Sequence, residues 1–181
     1  MSEGIKRRLV DRIIDPEYVE GIGAASIEEI RAKREESREG EKELSFERRL
    51  CQARIDILSA ELDQRSGKSE GSLIDRLPAI LAAEGSSESD AGLPSRAPDF
   101  SIPRNADVPR RRVEEVEGEQ ALARLSALTD DEIKGRIESL KSHERTVSDK
   151  RLKVQTVLDM LQAEIVRRYA EGEADPASVP E

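Results

Sequence analysis

The stretch EKELSFERRLCQARID, residues 41–56, has a counterpart 103 residues further along the chain, ERTVSDKRLKVQTVLD, residues 144–159. The two stretches share Glu, Ser, Arg, Gln and Asp at spacings of four, three, four and four residues, and we call this pattern the repeated motif. Apolar residues of two amphipathic helices often align by chance, but five polar identities at one shift have no such general cause. The motif residues are Glu41, Ser45, Arg48, Gln52, Asp56, Glu144, Ser148, Arg151, Gln155 and Asp159.

Each copy of the motif lies in a segment with helical signals along its whole length. The first segment, 26–66, opens with Ser26, whose hydroxyl can cap the free N–H groups of the first turn while Glu29 reaches back to it. The second segment, 129–171, opens with the same capping box at Thr129. A glycine follows each segment, which is the usual stop signal. The sequence therefore predicts two long helices of similar length.

Apolar residues recur in both segments with the spacing of a coiled coil. The main row is Ile30, Leu44, Cys51 and Leu58 in the first helix and Ile133, Leu140, Val147, Val154 and Leu161 in the second. The motif Glu and Arg interrupt the neighbouring row, and the five motif side chains of each helix share one face. Burying such groups without partners costs several kcal/mol, so we expect something polar to occupy this gap.

These patterns predict an all-α fold, a long two-helix coiled coil with a flexible linker and flanking short helices. We prefer the antiparallel arrangement, because a pseudo-two-fold axis near Arg48 and Arg151 would then exchange the two copies. A parallel pair is also compatible with the length of the linker.

The segments outside the long helices are less specific. The linker, 67–128, is predicted to be largely flexible: Ser72–Glu84 has the pattern of a short helix interrupted by Pro78, Gly85–Pro109 has the composition of a tether, and 110–128 can add irregular helix.

The two termini allow less definite predictions. Residues 1–25 contain an apolar patch and then Asp15-Pro16, a possible helix start, and form either a short docking helix or a frayed terminus; we favour the second. Residues 172–181 are predicted to be a disordered tail.

The composition excludes several classes of protein. Only 36% of the residues are hydrophobic, 38% are charged and 2% are aromatic, which is too few apolar side chains for a compact sheet core. The net charge of −9 argues against a nucleic-acid or membrane surface and suits a basic protein partner. One cysteine, no membrane-length apolar run and no signal-peptide core lead us to expect a cytoplasmic protein without disulfides.

Two interpretations of the motif are open from its chemistry. In the first, Glu41 and Arg48 pair across the coiled coil with Arg151 and Glu144 and only fix the register of the helices. In the second, the motif binds a ligand: an arginine fork can donate to O6 and N7 of guanine or to phosphate, and a carboxylate can accept from N1–H and the amine of the same base. Two related copies suit a two-fold symmetric ligand. The same groups could also bind a charged protein surface.

The doubled pattern E-x3-S-x2-R-x3-Q-x3-D resembles the signature of the RsiG-type anti-sigma factors, and all ten positions match over about 80 residues of helix. The resemblance implies an antiparallel coiled coil that holds cyclic di-GMP, as an intercalated dimer, against a sporulation sigma factor of the WhiG class. Sigma is then sequestered while the dinucleotide is bound and released when its concentration falls. The ten motif residues become the ligand site, with Arg48, Arg151, Asp56 and Asp159 as the expected guanine contacts.

An enzyme is the least expected class, and we expect no metal and no cofactor besides the dinucleotide ligand. His143 and Cys51 are the only His and Cys in the chain. Cys51 occupies an apolar heptad position and is predicted to pack there, whereas His143 is predicted to lie on an exposed face. Neither direct DNA contact nor a membrane contact is expected. The alternative function is a coiled-coil scaffold whose polar seam only fixes helix pairing.

Overall fold

The computed structural model describes residues 9–68, 78, 102–118 and 122–172. Within these ranges the chain is helical and has no strand. The described residues form four α-helices, together with 3-10 turns at Pro16–Tyr18 and Leu122–Ala127. The helices are α1 (Leu9–Ile13), α2 (Ile27–Arg65), α3 (Asp107–Glu117) and α4 (Asp130–Ala170). The predicted all-α class is confirmed.

Both long helices begin with the predicted capping boxes. The Ser26 N–H donates to Glu29 Oε2 at 2.7 Å, and the Glu29 N–H donates to Ser26 Oγ at 3.2 Å. The Thr129 N–H donates to Glu132 Oε2 at 2.7 Å, and the Glu132 N–H returns to Thr129 Oγ1 at 3.3 Å. These bonds satisfy N–H groups that a helix start leaves open, which is why both helices begin where the sequence predicts.

The chain packs as two compact units, and the long helices run antiparallel in each. The first unit combines residues up to Lys42 with residues from Asp149 onward, and the second is Glu43–Ser148. In the first unit, Arg31 near the start of α2 donates to the Tyr169 hydroxyl at the end of α4, at 2.5 Å. In the second unit, Arg65 at the end of α2 donates to Asp130 at the start of α4, at 3.0 Å. The antiparallel prediction is therefore confirmed.

The first unit includes the short N-terminal helix, which corrects the preference for a frayed terminus. Ile13 of α1 is fully buried and Val10 is 4% exposed. A Cβ placed on Gly40 of α2 would lie 2.7 Å from Ile13 Cδ1, so α1 packs where α2 lacks a side chain. The 3-10 turn starts at the predicted Asp15-Pro16, with the Asp15 side chain accepting from the Glu17 N–H. Apolar side chains in residues 9–18 thus dock on α2.

The second unit includes part of the predicted linker. Its buried core is formed by Cys51, Leu58, Val113, Leu125, Ile133, Ile137 and Leu140. Val113 comes from α3 and Leu125 from the following 3-10 turn, so residues 107–117 and 122–127 are helical and packed rather than a flexible tether. The helix begins at Asp107, two residues before the predicted end of the tether at Pro109, and it fits the prediction of irregular helix in 110–128.

Some predictions lie outside the described residues. Three predictions are affected: the tether at 85–101, most of the C-terminal tail, and the short helix at 72–84. Of that short helix, only Pro78 is described. Among the helices that are described, none has both the length and the apolar character needed to cross a membrane.

Candidate functional site

In the first unit, the structure brings one Glu and one Arg of the repeated motif together across the two long helices. Arg151 of α4 donates from Nε to Glu41 Oε1 of α2 at 2.8 Å, and the Gln155 amide lies 3.5 Å from the same oxygen. The Glu41 side chain is only 12% exposed, whereas that of Arg151 is 33% exposed. This charge-assisted bond therefore holds a largely buried carboxylate and leaves one edge of the guanidinium at the surface.

In the second unit, the corresponding pair, Arg48 and Glu144, is separated by a longer distance. Arg48 Nη1 of α2 lies 3.9 Å from Glu144 Oε1 of α4, beyond hydrogen-bonding distance, and the Ser148 hydroxyl donates to that oxygen at 3.0 Å. Arg48 Nε is buried and has no hydrogen-bond partner among the described residues. A buried donor without an acceptor costs about 1–3 kcal/mol, so this arginine has hydrogen-bonding capacity that the protein does not use.

The remaining motif residues lie on the same two helices. Ser45 and Gln52 are half-buried. Asp56 is half-buried as well, and burial raises the pKa of its carboxyl above the ordinary value. Asp159 is exposed. Each unit thus contains motif residues from both copies, with Glu41, Arg151, Gln155 and Asp159 in the first and the other six in the second.

This set of groups can bind a ligand that has acceptors for arginine and donors for a carboxylate. An arginine fork matches either the O6/N7 edge of guanine or a phosphate, and a carboxylate accepts from N1–H and the exocyclic amine of guanine. The amide and hydroxyl groups of Gln and Ser can donate and accept. The Arg–Glu pairs also show that some charged groups of the motif pair with each other across the two helices, as the register interpretation predicts.

A buried acid beside the motif was missed by the sequence reasoning. The Glu47 side chain is 2% exposed and accepts from Arg112 of α3 at 2.9 Å, while His143 Nε2 of α4 lies 2.8 Å from its other oxygen. His143 is therefore half-buried at a three-helix contact, and its predicted exposed position is wrong. Arg112 belongs to the basic cluster Arg110–Arg112, which is a signal in the sequence that could have indicated an acidic docking partner.

A second buried acid, Glu117, holds the C-terminal end of α3 against the long helices in the same unit. The Glu117 side chain is fully buried and pairs with Arg54 of α2, and its backbone carbonyl accepts from Arg136 of α4. Together with Glu47–Arg112, these contacts connect α3 to both long helices. Residues of the predicted linker thus help to hold the helices that present Arg48 and Glu144.

Cys51 packs in the seam as predicted. Its side chain is fully buried within the apolar core of the second unit. Burial is the main reason that the pKa of its thiol is raised to about 12, and the charges of Glu47 and Glu144 act in the same direction. A thiol with this pKa is protonated at neutral pH and is a poor nucleophile.

Comparison with known proteins agrees with the duplicated motif. No curated protein matches the chain. A protein-family model described as RsiG-like matches residues 16–81 and 119–181, which is more than half of the chain and includes both long helices. The second matched segment begins 103 residues after the first, the same shift that relates the two copies of the motif. The chain therefore belongs to the RsiG-like family.

Proposed function

We propose that this protein is a non-enzymatic, cytoplasmic anti-sigma factor that sequesters a sporulation sigma factor of the WhiG class when cyclic di-GMP is bound between the two proteins. Family membership indicates the anti-sigma role. The observation that best supports binding of the dinucleotide is that the motif is complete in both copies, with Arg48 and Arg151 on antiparallel helices. The dinucleotide is itself two-fold symmetric, so two equivalent sets of groups suit it.

The roles of the motif residues follow from their surroundings. Arg48 and Arg151, each about one third exposed, reach guanine or phosphate with the part of the guanidinium that faces solvent. Asp159 and Asp56 have no side-chain partner among the residues the structure describes, and their carboxylates accept from guanine N1–H and the amine. Glu41 and Glu144 orient the arginines. An intercalated cyclic di-GMP dimer supplies the guanine edges that both copies need.

The sigma factor completes the complex over the ligand. A chain with a net charge of −9 attracts a partner with basic surface, and the dinucleotide phosphates add negative charge to the contact. When the ligand leaves, the interface loses its central contacts and sigma is released. The proposal needs neither DNA nor a membrane as a partner, and no metal or cofactor.

A second candidate is a coiled-coil scaffold whose polar seam fixes helix pairing. The Arg151–Glu41 hydrogen bond at 2.8 Å favours it, because this contact pairs motif groups of the two helices with each other. Polar groups in a coiled-coil seam can specify register and orientation at some cost in stability. The scaffold interpretation does not explain Arg48 Nε, which has no hydrogen-bond partner among the described residues, and it does not explain the two aspartates.

Isothermal titration calorimetry separates the two candidates. Cyclic di-GMP is titrated into the protein with and without the sigma factor, and cyclic di-AMP is the matched control, since adenine lacks the N1–H donor that a carboxylate needs. The proposal predicts guanine-specific binding in at least one condition and tighter sigma binding with the ligand. Absence of dinucleotide binding in both conditions would leave the scaffold as the better explanation.

A further inference from the structure

A second pair of residues repeats at the same shift of 103 residues, outside the ligand motif. It is a Glu followed four residues later by an Arg, Glu61 with Arg65 at the end of α2 and Glu164 with Arg168 near the end of α4. Arg65 donates from Nε to Glu61 Oε1 at 2.7 Å, and Arg168 donates from Nε to Glu164 Oε1 at 2.8 Å. The sequence alone does not reveal the role of this pair, because Glu-x3-Arg is common on helix surfaces.

In the second unit, the other nitrogens of Arg65 bind the chain just before α4. Nη1 donates to the Leu128 carbonyl at 2.6 Å and Nη2 donates to the Leu125 carbonyl at 2.9 Å. Both carbonyls lie within four residues of Thr129, the cap of α4. One guanidinium therefore joins the last turn of one long helix to the start of the other.

In the first unit, Arg168 makes the same contacts with the chain just before α2. Nη1 donates to the Ala25 carbonyl at 2.6 Å and Nη2 donates to the Ile22 carbonyl at 2.9 Å. These carbonyls are the counterparts of those of Leu128 and Leu125 at the 103-residue shift. The two distances from guanidinium to carbonyl are the same in both units, although the side chains Ala25 and Leu128 differ. The geometry depends on the backbone and on the arginine fork.

We propose that Glu61–Arg65 and Glu164–Arg168 form a repeated arginine clamp, which fixes the axial register of α2 against α4 and so positions the ligand-binding arginines. A lysine cannot replace this fork, because only guanidinium presents donors in three fixed directions. The Arg168 side chain is 9% exposed and the Arg65 side chain 24% exposed, so the bonds are partly shielded from water.

Register matters because the motif contacts are short. Sliding one helix by one residue moves its side chains about 1.5 Å along the axis. A shift of that size would break the 2.8 Å bond between Arg151 and Glu41, which lies in the same unit as the Arg168 clamp. The Arg65 clamp lies in the same unit as Arg48 and Glu144. Each clamp thus fixes the helix register in the unit that contains one of the two motif Arg–Glu pairs.

Hydrogen–deuterium exchange of the full chain tests the clamp without any ligand. In Arg168→Ala we expect amide exchange in residues 19–30 to rise about tenfold or more, because several bonds to a charged group are lost, while residues 122–133 are unchanged. Arg65→Ala should give the reverse pattern. The matched control is Arg167→Ala, which removes ion pairs with Glu164 of the same helix and with Glu171 just after it. Unchanged exchange in both clamp variants, or an equal rise in both regions, would overturn the clamp.

Ligand binding tests the positioning role, which rests on the proposed function. With circular dichroism showing a folded chain, Arg168→Ala and Arg65→Ala should each weaken cyclic di-GMP binding by about tenfold relative to Arg167→Ala. A merely structural clamp would leave the affinity of the folded protein unchanged, and that result would overturn the positioning role. If the unaltered protein binds no dinucleotide, the proposed function and the positioning role fail together, while the exchange data still decide whether the clamp exists.

Discussion

Arg151 and Glu41 form a 2.8 Å hydrogen bond between the two long helices, whereas their counterparts Arg48 and Glu144 are separated by 3.9 Å. The two copies of the motif are identical in residue type, so this difference comes from their surroundings. One arginine is held firmly by its carboxylate, and the other has a buried Nε for which the described part of the chain supplies no acceptor. The same Glu–Arg pairing therefore has different local energetics in the two units.

Removing either motif arginine should weaken ligand binding. We expect Arg48→Ala and Arg151→Ala each to reduce cyclic di-GMP affinity by about 1–3 kcal/mol, the contribution of a good bidentate guanine contact. Calorimetry with the sigma factor present measures the effect, and far-UV circular dichroism should remain helical. Lys153→Ala, which removes an exposed cation of α4, is the control for general electrostatic effects. Normal binding by an arginine variant would exclude that arginine from the site.

The two motif glutamates should differ in their effect on stability. Glu41→Gln removes the charge from a tight bond and should lower the free energy of unfolding by about 1.5–3 kcal/mol. Glu144→Gln affects a longer, more solvent-exposed pair and should cost about 0–1 kcal/mol. Urea denaturation of both variants gives the comparison. Equal losses would show that the tight and loose pairs are energetically alike.

Two glycines inside the long helices should respond in opposite ways to alanine. Gly135 has open space where a Cβ would lie, so Gly135→Ala should stabilise the protein by about 0.5–1 kcal/mol through helix propensity. The Cβ of Gly40→Ala would meet the fully buried Ile13 of α1 at 2.7 Å, so the gain should be cancelled or reversed. Thermal unfolding measures both. A Gly40→Ala variant as stable as Gly135→Ala would show that α1 does not pack tightly there.

The Glu164 carboxylate should make stability depend on pH in the acid range. Hydrogen bonds from Arg167 and Arg168 lower its pKa from 4.5 to about 2. A carboxyl group whose pKa is lower in the folded state stabilises the fold above its unfolded pKa, and this contribution is lost as the pH falls from about 4.5 to about 2. The difference in melting temperature between the unaltered protein and Glu164→Gln should therefore shrink over that range. A constant difference would contradict the pKa shift.

The Cys51 thiol should be unreactive in the folded protein. Its pKa of about 12 leaves almost no thiolate at pH ~8, and its side chain is fully buried. Alkylation with iodoacetamide, followed by mass spectrometry, should be slow in native buffer and fast in urea. Rapid alkylation without denaturant would mean that the seam around Cys51 opens readily.

Local patterns in the sequence were sufficient to predict the two long helices, and the repeat favoured their antiparallel pairing but left a parallel pair open. The capping residues Ser26 and Thr129 and the heptad rows depend on neighbours along the chain, and the cross-helix partners Glu41 and Arg151 follow from the repeat. The N-terminal helix and α3 were harder to predict, because five to eleven residues of helix have little intrinsic stability and depend on tertiary contacts.

Buried charges were the least predictable part of the site. Glu47 has the sequence context of a surface acid, and only the approach of Arg112 from α3 and of His143 from α4 makes its burial tolerable. Similarly, Arg168 differs from its exposed neighbour Arg167 only in the carbonyl groups that it reaches. Such contacts join residues far apart in sequence, and no local pattern reports them.

Because α2 and α4 belong to one polypeptide, both sets of motif residues are always present in equal numbers. A site formed between separate subunits would come apart on dilution, whereas pairing within one chain is independent of protein concentration. Under the proposed function, the response of the cell would then depend on the level of cyclic di-GMP and on the amount of sigma factor, and not on whether the anti-sigma factor is abundant enough to assemble its own binding site.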